Sequence, residues 1–135
     1  MDDGLARFQR RMRAIPQAAK EAVVPALLTG ANEIAALQRQ LAPVDEGDLR
    51  DSIEVTPPGR STPEYSQPGG SRVAGELEAV ITVGDHTVRY PHLVEYGTSD
   101  TTAQPFFWPG FRLGRKRAAN RVKRTIGKAI RGTKK

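Results

Sequence analysis

The spacing of apolar side chains predicts a long helix early in the chain. Between residues 16 and 41, valine, leucine, isoleucine and alanine recur three or four positions apart, and charged or amide side chains occupy the remaining positions. This spacing places the apolar side chains along one face of a helix. Pro16 suits the first helical turn, where its missing N–H is not needed. Pro25 is expected to kink the helix or to mark its true start, because an interior proline loses a hydrogen bond.

Alternating apolar and polar positions predict three strands after this helix. The helix should stop before Pro43, and Gly47 would permit a tight turn. A first strand is expected at residues 52–56 and the best one at 73–83, where apolar and polar side chains alternate. A turn at Gly84-Asp85 then leads into a returning strand at 86–90.

Residues 57–71 lie between the strands and contain four prolines and three glycines without any periodic pattern. A loop of this length is usually functional or disordered, and its prolines favour a semi-rigid, extended arm. We therefore expect one domain over residues 1–131 with a flexible arm at 57–71, followed by a disordered basic tail at 132–135.

The last third of the chain predicts a second amphipathic helix. Residues 91–96 could form one helical turn that ends at Gly97, and a loop follows as far as residue 109. Apolar residues recur at helical spacing from about Gly110 onwards. The order helix, strand, arm, two strands, helix predicts an α+β domain, in which a long N-terminal and a basic C-terminal helix pack on a small antiparallel sheet.

Charge is distributed very unevenly along the chain. The net charge is +6, yet residues 1–111 hold 15 acids and 10 bases, and residues 112–135 hold 11 bases and no acid. Such a block is typical of a surface that meets DNA phosphates or an acidic protein, although a simply solvated helix face also fits. No base-reading motif accompanies it, so contact with DNA would not depend on sequence. The candidate basic residues are Arg112, Arg115, Lys116, Arg117, Arg121, Lys123, Arg124, Lys128 and Arg131.

Composition narrows the remaining classes of protein. A chain of 135 residues suits a single domain, and the absence of cysteine excludes disulfides and thiolate zinc sites. The N-terminus has no apolar signal segment, and the longest apolar stretch is interrupted by Pro25 and too short to span a bilayer. We expect a protein that is made and kept in a cytoplasm and has no membrane partner.

Few residues are candidates for catalysis or metal binding. The acidic cluster Asp45, Glu46, Asp48 and Asp51 lacks the ligand frame of a calcium loop, so turn chemistry explains it better. A general base could come only from the two histidines, of which His92 would share a helical face with Glu95. No nucleophile motif or phosphate-binding loop accompanies them. We expect no enzyme, no cofactor and no metal.

Phe106, Phe107 and Trp108 form an aromatic run between two prolines. The run could fill the core of the domain. It could equally anchor a contact between subunits, because aromatic side chains lead at interface hot spots. The sequence does not choose between these two roles.

Two segments together resemble a known family. Residues 42–53, Ala-Pro-Val-Asp-Glu-Gly-Asp-Leu-Arg-Asp-Ser-Ile, and residues 90–98, Tyr-Pro-His-Leu-Val-Glu-Tyr-Gly-Thr, with Gln-Pro-Phe at 104–106, occur in that order. They are similar to the small tail-component proteins of lambdoid and related long-tailed phages, the gene-product-ten type, which are grouped with the lambda tail protein Z. The residues that carry this resemblance or flank it are Pro43, Asp45, Gly47, Leu49, Arg50, Ser52, Tyr90, Glu95, Tyr96, Gly97, Thr98, Pro105, Phe106 and Trp108.

The resemblance implies a structural virion protein of the head–tail joining region. Its subunits would form a ring, expected to be a hexamer, around the DNA channel, beside neck and tail-tube or terminator proteins. A tail terminator or a head-closure ring, a free DNA-binding protein, and a small hydrolase built on His92 and Glu95 remain the alternatives. Gly47 and Gly97 would set turns.

Physical chemistry adds packing roles for the aromatic side chains of these segments. Tyr90, Tyr96 and Phe106 would pack the sheet against the helices. Glu95 stands beside a tyrosine, and a buried carboxylate needs a partner. We expect Glu95 to accept hydrogen bonds from the backbone or from arginine.

Overall fold

The computed structural model describes residues 16–43 and 47–133, together with positions 6, 7 and 10. Six elements lie in the two long ranges, and their arrangement confirms the predicted α+β class, in which a small antiparallel sheet packs against a long N-terminal helix and a basic C-terminal helix. The elements are α1 (Gln17–Leu41), α2 (Gly47–Asp51), β1 (Glu54–Thr56), β2 (Val80–Thr82), α3 (Pro91–Tyr96) and α4 (Phe107–Thr133).

The two long helices form an antiparallel hairpin with a very close contact. Gly110 lies against Gln38 near the end of α1, and Ala118 lies against Gly30 in its middle. Gly110, Gly114 and Ala118 are four residues apart and therefore share one face of α4. A Cβ atom added at Gly110 would lie 2.5 Å from Cγ of Gln38. Small side chains thus let the two helix backbones approach each other.

The sheet contains two strands in the described residues, not the predicted three. β1 and β2 are antiparallel, with Glu54 opposite Thr82 and Thr56 opposite Val80. The predicted strand at 73–83 is wrong over most of its length, because only residues 80–82 form a strand and isolated bridges join Val73 to Ser61 and Val83 to Gln67. Two strands alone are marginally stable, so this sheet depends on the helices that pack against it.

A local turn explains why the long strand does not form. The carboxylate of Glu78 accepts a hydrogen bond from the backbone N–H of Gly75 at 2.9 Å, and it binds the Arg72 guanidinium through both oxygens at 2.9 Å. Such side-chain bonds to nearby backbone compete with a strand ladder. Alternation of side chains alone does not reveal this competition.

The predicted returning strand at 86–90 is also wrong. Oδ1 of Asp85 accepts hydrogen bonds from the backbone N–H of Thr87 and of Val88, each at 2.9 Å, and from the Thr87 hydroxyl at 2.7 Å. An aspartate that bonds residues two and three positions ahead closes a turn in place of an extended strand.

The buried side chains form two clusters, one at each end of the hairpin. The first lies where the sheet, α2 and the start of α4 meet, and Phe106 and Leu49 are fully buried there. The second lies at the far end of the hairpin, where Val23 and Val122 pack together and Leu77 contributes from the loop before β2. The close contact at Gly30 and Ala118 lies between these clusters along the hairpin.

The proline- and glycine-rich segment at 57–71 is attached to the domain by backbone hydrogen bonds. Gln67 and Val83 exchange two of them, at 2.9 and 3.0 Å, and the N–H of Thr62 donates to the carbonyl of Arg72 at 2.8 Å. Ser66 within this segment is fully buried. The segment therefore contributes side chains to the interior as well as to the surface.

Several element boundaries differ from the sequence-based expectation. α1 begins at Gln17, so Pro25 is an interior residue and not the start of the helix. Gly47 begins the short helix α2, which the sequence did not predict, and residues 44–46 before it lie outside the described residues, so the turn expected there stays a prediction. α4 begins at Phe107, three residues before Gly110. No described helix is both long enough and apolar enough to cross a membrane.

Candidate functional site

Glu95 organises the region that carries the second family-like segment. Its side chain is only 7% exposed. Oε1 accepts hydrogen bonds from the backbone N–H groups of Phe106 at 3.0 Å and Phe107 at 2.9 Å, and Oε2 accepts one from Trp108 at 3.3 Å. These N–H groups stand at the start of α4 and have no partner within the helix, so the carboxylate satisfies them and interacts favourably with the helix dipole. The predicted backbone hydrogen bonds of Glu95 are confirmed.

This cap determines where α4 starts. A carboxylate on α3 holds three successive N–H groups, which begins the helix at Phe107 although proline and glycine follow at positions 109 and 110. The main chain of Gln104 also donates to the carbonyl of Val94 at 2.8 Å, so α3 and the start of α4 are joined twice. The capping carboxylate and the N–H groups that it binds are eleven to thirteen residues apart in the sequence.

The aromatic run divides between core and surface. Phe106 and Phe107 are buried, whereas Trp108 is partly exposed and its Nε1–H donates to the hydroxyl of Tyr96 at 3.0 Å. Tyr96 is 69% exposed, so the expectation that it packs the sheet against the helices is wrong. Its hydroxyl reaches Trp108 because α3 ends beside the start of α4. Tyr90 and Phe106 do pack in the core as expected.

A groove opens beside this tyrosine–tryptophan pair. It has a volume of about 260 Å³, and we call it the aromatic groove. His92 stands at its edge, where its Nδ1 lies 3.2 Å from Nε2 of Gln67. The groove is lined by Gln67, Pro68, Gly69, Val83, Pro91, His92, Glu95, Tyr96, Phe106, Phe107 and Trp108.

The first family-like segment builds the joint between α1 and the sheet. Leu49 is fully buried, and the hydroxyl of Ser52 donates to the carbonyl of Leu49 at 2.7 Å while it accepts from the N–H of Gly84 at 3.0 Å. Arg50 reaches the carbonyl of Pro43 at 3.5 Å. Asp45 and Glu46 of this segment lie outside the described residues.

Gly97 and Thr98 end the second segment with a tight turn. Gly97 has a φ angle of 77°, and a Cβ atom there would lie 2.7 Å from the backbone nitrogen of Ala103. The Thr98 hydroxyl accepts hydrogen bonds from the N–H groups of Asp100 at 3.2 Å and Thr101 at 3.1 Å. The expected turn at Gly97 is confirmed, since a side chain fits neither this backbone angle nor this space. Pro105 is exposed shortly after the turn.

Most basic residues of α4 are exposed on the part of the helix surface that α1 does not cover, and we call these residues the outer basic face. Arg121 differs from the others, because its guanidinium binds both oxygens of Glu33 on α1 at 2.9 and 3.0 Å. The remaining candidates are exposed and have no ion pair within the described residues. They are Arg112, Arg115, Lys116, Arg117, Lys123, Arg124, Lys128 and Arg131.

Glu95 and His92, the candidates for catalysis, have other partners. Glu95 binds backbone at the start of α4, and His92 contacts Gln67. Asp48 and Asp51 are exposed on α2. In the described ranges, no group of three or more histidine, aspartate or glutamate side chains could hold a metal ion.

Two carboxylates outside this region have lowered pKa values. The hydroxyl of Thr87 and the backbone N–H of Val88 hold the pKa of Asp85 below its ordinary value, because both donate to the ionised form. The Arg72 guanidinium likewise lowers the pKa of Glu78, and Glu78 raises the pKa of Arg72. Both groups stabilise loops, and neither belongs to the basic face or to the aromatic groove.

The glycine and alanine contact between the helices was not predicted from the sequence. The apolar pattern places Gly110 at the start of the helix and Ala118 in its apolar stripe, although the four-residue spacing of Gly110, Gly114 and Ala118 is a signal for close helix packing. The role of Gln38 was also not predicted: its side chain is fully buried and donates from Nε2 to the carbonyl of Phe107 at 2.9 Å. A single glutamine on a helix does not indicate from the sequence that its side chain is buried against another helix.

The chain is a small α+β protein in which the residues of the two family-like segments connect the helices to each other and to the sheet. Residues 6–97 match the family described as "Bacteriophage HK97-gp10, putative tail-component". Because the match covers more than half of the 135 residues, the chain belongs to this family of phage tail components. Neither the curated proteins nor the solved structures that were compared include a match.

The matched range contains both main family-like segments as far as Gly97. The Gln-Pro-Phe element at 104–106 and the basic helix α4 lie beyond it. The roles of α4 therefore depend on its own geometry and charge.

Proposed function

We propose that this protein is a structural subunit of the phage head–tail joining region, a neck or tail-completion ring around the DNA channel. Membership of a tail-component family over residues 6–97 is the observation that carries this proposal. The subunit would act in tail assembly and in attachment of the tail to the head. It would have no catalytic activity, and it would assemble in the host cytoplasm and remain in the virion.

The surface around α3 supports a role in subunit contacts. Tyr96 is 69% exposed and Leu93 is 43% exposed, and both belong to the same short helix. Aromatic and apolar side chains are enriched at the centres of protein interfaces. The cap at Glu95 and the hydrogen bond between Tyr96 and Trp108 hold this surface in one conformation, which lowers the entropy that association costs.

A ring requires two different surfaces on each subunit. A head-to-tail contact of this kind closes into a ring when its rotation allows, and a contact of one surface with itself stops at a dimer. We expect the surface around Tyr96 to form one half of the contact between neighbouring copies, in a hexamer. Adjacent neck, tail-tube or terminator proteins would bind the faces of the ring.

Assembly of the purified protein tests this proposal. Native mass spectrometry and negative-stain microscopy of the full chain, alone and mixed with isolated tails, should show rings. Tyr96→Ala should weaken ring formation, and Val73→Ala is the matched control because Val73 is 63% exposed on a different loop. A chain that stays monomeric both alone and with tails would contradict the proposal.

Particles made without this protein would identify the layer of the neck. Complete heads and tails of normal length that fail to join are the expected result. Overlong tails would instead indicate a tail terminator, and heads that lose their DNA would indicate a head-closure protein.

A further inference from the structure

The outer basic face of α4 is not explained by the packing of the domain. No acid follows Asp100 in the sequence, and eight exposed cations stand on this face without an ion pair within the described residues. Like charges at this density repel one another, so the face destabilises the isolated helix unless a polyanion neutralises it. Five of the eight are arginines, whose planar guanidinium matches phosphate oxygens.

Gly127 provides a second, independent observation on the same face. Gly110 and Gly114 are required by the contact with α1, but a Cβ atom at Gly127 would meet only Nη1 of Arg131, at 3.4 Å. Glycine in a helix interior is unfavourable, so a position that packing leaves open would ordinarily hold another residue. A surface depression of about 550 Å³ lies beside Gly127. Its cationic lining is Arg121, Lys123, Arg124, Lys128 and Arg131.

We propose that the outer face of α4 binds the phosphate backbone of double-stranded DNA, with its strongest contacts around the depression at Gly127. The exposed cations from Arg112 to Arg131 extend over roughly 29 Å of helix. DNA presents one negative charge per about 1.7 Å of its axis, which is dense enough to neutralise such a row. The aromatic side chains of the chain are not interleaved with these cations, so the face recognises phosphates and not bases.

The chain itself offers no comparable acidic surface among its described residues. Asp48, Asp51 and Glu54 are exposed, and with Asp45 and Glu46, which lie outside the described residues, they number five against eight cations. The three exposed acids belong to α2 and β1 beside the sheet, whereas the depression lies at the far end of the hairpin, where Val122 packs with Val23. Charge complementarity thus favours DNA over a second copy as the occupant. This inference does not depend on ring formation, since a single subunit carries the whole face.

Salt-dependent binding of the full chain to DNA tests the proposal. Two duplexes of about 30 base pairs with unrelated sequences should bind with affinities within about twofold of each other, measured by fluorescence anisotropy between about 50 and 200 mM salt. Each cation that contacts a phosphate contributes about −0.9 to the slope of log affinity against log salt. R124Q/R131Q should therefore reduce the slope by about 1.8 and lower the affinity at 0.1 M salt by up to about sixtyfold.

A matched variant separates a local contact from a general effect of charge. R60Q/R89Q also removes two exposed arginines, but from the loops around the sheet. It should leave the slope unchanged and alter the affinity only slightly. All four arginines are exposed, so both variants should fold, which circular dichroism will verify.

Three outcomes would overturn the proposal. These are no DNA binding at 50 mM salt, equal losses in the two double variants, and tighter binding of a polyglutamate peptide than of DNA at the same salt. The last outcome would assign the face to an acidic protein. Ring formation by native mass spectrometry, measured on the same samples, shows whether the proposed function stands independently of this result.

Discussion

Substitution of glycine by alanine should have opposite effects at two positions of α4. Gly127→Ala adds a methyl group at a position where only the end of the Arg131 side chain lies nearby, at 3.4 Å. Gly110→Ala adds the same group 2.5 Å from Cγ of Gln38 and 2.9 Å from its Cα and backbone nitrogen. The chemical change is identical, so the difference isolates the close contact between the helices.

The two effects can be estimated separately. Alanine in a helix interior is more favourable than glycine by about 1 kcal/mol, so Gly127→Ala should stabilise the protein by about that amount. At Gly110 the gain is smaller because the residue lies in the first turn of α4. Overpacking costs about 1–3 kcal/mol, and the Gln38 backbone has no rotamer to move away. A net loss of about 1–2 kcal/mol is expected at Gly110.

Urea and thermal unfolding of the two variants would measure this difference. A free-energy change of 1 kcal/mol corresponds to about 3 °C in Tm for a domain of this size, so the variants should differ by about 6–9 °C. Gly114→Ala should fall between them, since its Cβ would meet mainly side-chain atoms of Ile34 and Leu37. Equal stabilisation by Gly110→Ala and Gly127→Ala would refute the close packing of α1 and α4.

Three further experiments test other parts of the structure. Glu95→Gln should destabilise the protein by about 2 kcal/mol in urea unfolding, because the amide loses the charge that three backbone N–H groups and the helix dipole favour. The control, Glu76→Gln, changes an exposed position and should have no effect. Similar unfolding curves for the two variants would contradict the cap. Asp85→Asn should lower stability at pH 7, since the carboxylate has a pKa lowered from 3.8 in the folded state. The advantage of wild type should persist above pH 3.8 and disappear as the pH falls through the lower folded pKa, so a difference that stays constant down to pH 2 would argue against these bonds. A double-mutant cycle of Arg121→Gln and Glu33→Gln should give a coupling of at most about 1 kcal/mol, because the pair is partly exposed; a coupling of several kcal/mol would show that the pair is more buried than described.

The sequence predicted the helices better than the strands, for physical reasons. α1 and α4 have long apolar stripes that must be buried, and periodicity reports burial directly. The strands at 73–83 and 86–90 failed because Glu78 and Asp85 bind nearby backbone N–H groups, a local competition that alternation does not register. Local hydrogen bonds between side chains and nearby backbone decided those segments.

The site showed the same division. The family-like segments led to the expectation that Glu95 accepts backbone hydrogen bonds, which is confirmed, and that Gly97 forms a turn, which is also confirmed. Tyr96 was expected in the core and is exposed, because its hydroxyl is satisfied by Trp108 at the surface. The start of α4 at Phe107 could not be predicted, since its cap comes from a residue on another helix.

The antiparallel packing of α1 and α4 also constrains how this protein folds during translation. α1 has its partner in α4, and 65 residues separate the end of one helix from the start of the other. At typical translation rates of about 5–20 residues per second, the apolar side of α1 stays exposed for roughly 3–13 s before synthesis of α4 begins. The pairing of α1 with α4 is therefore completed only after α4 has been synthesised, and a nascent chain that lacks α4 leaves the apolar side of α1 uncovered.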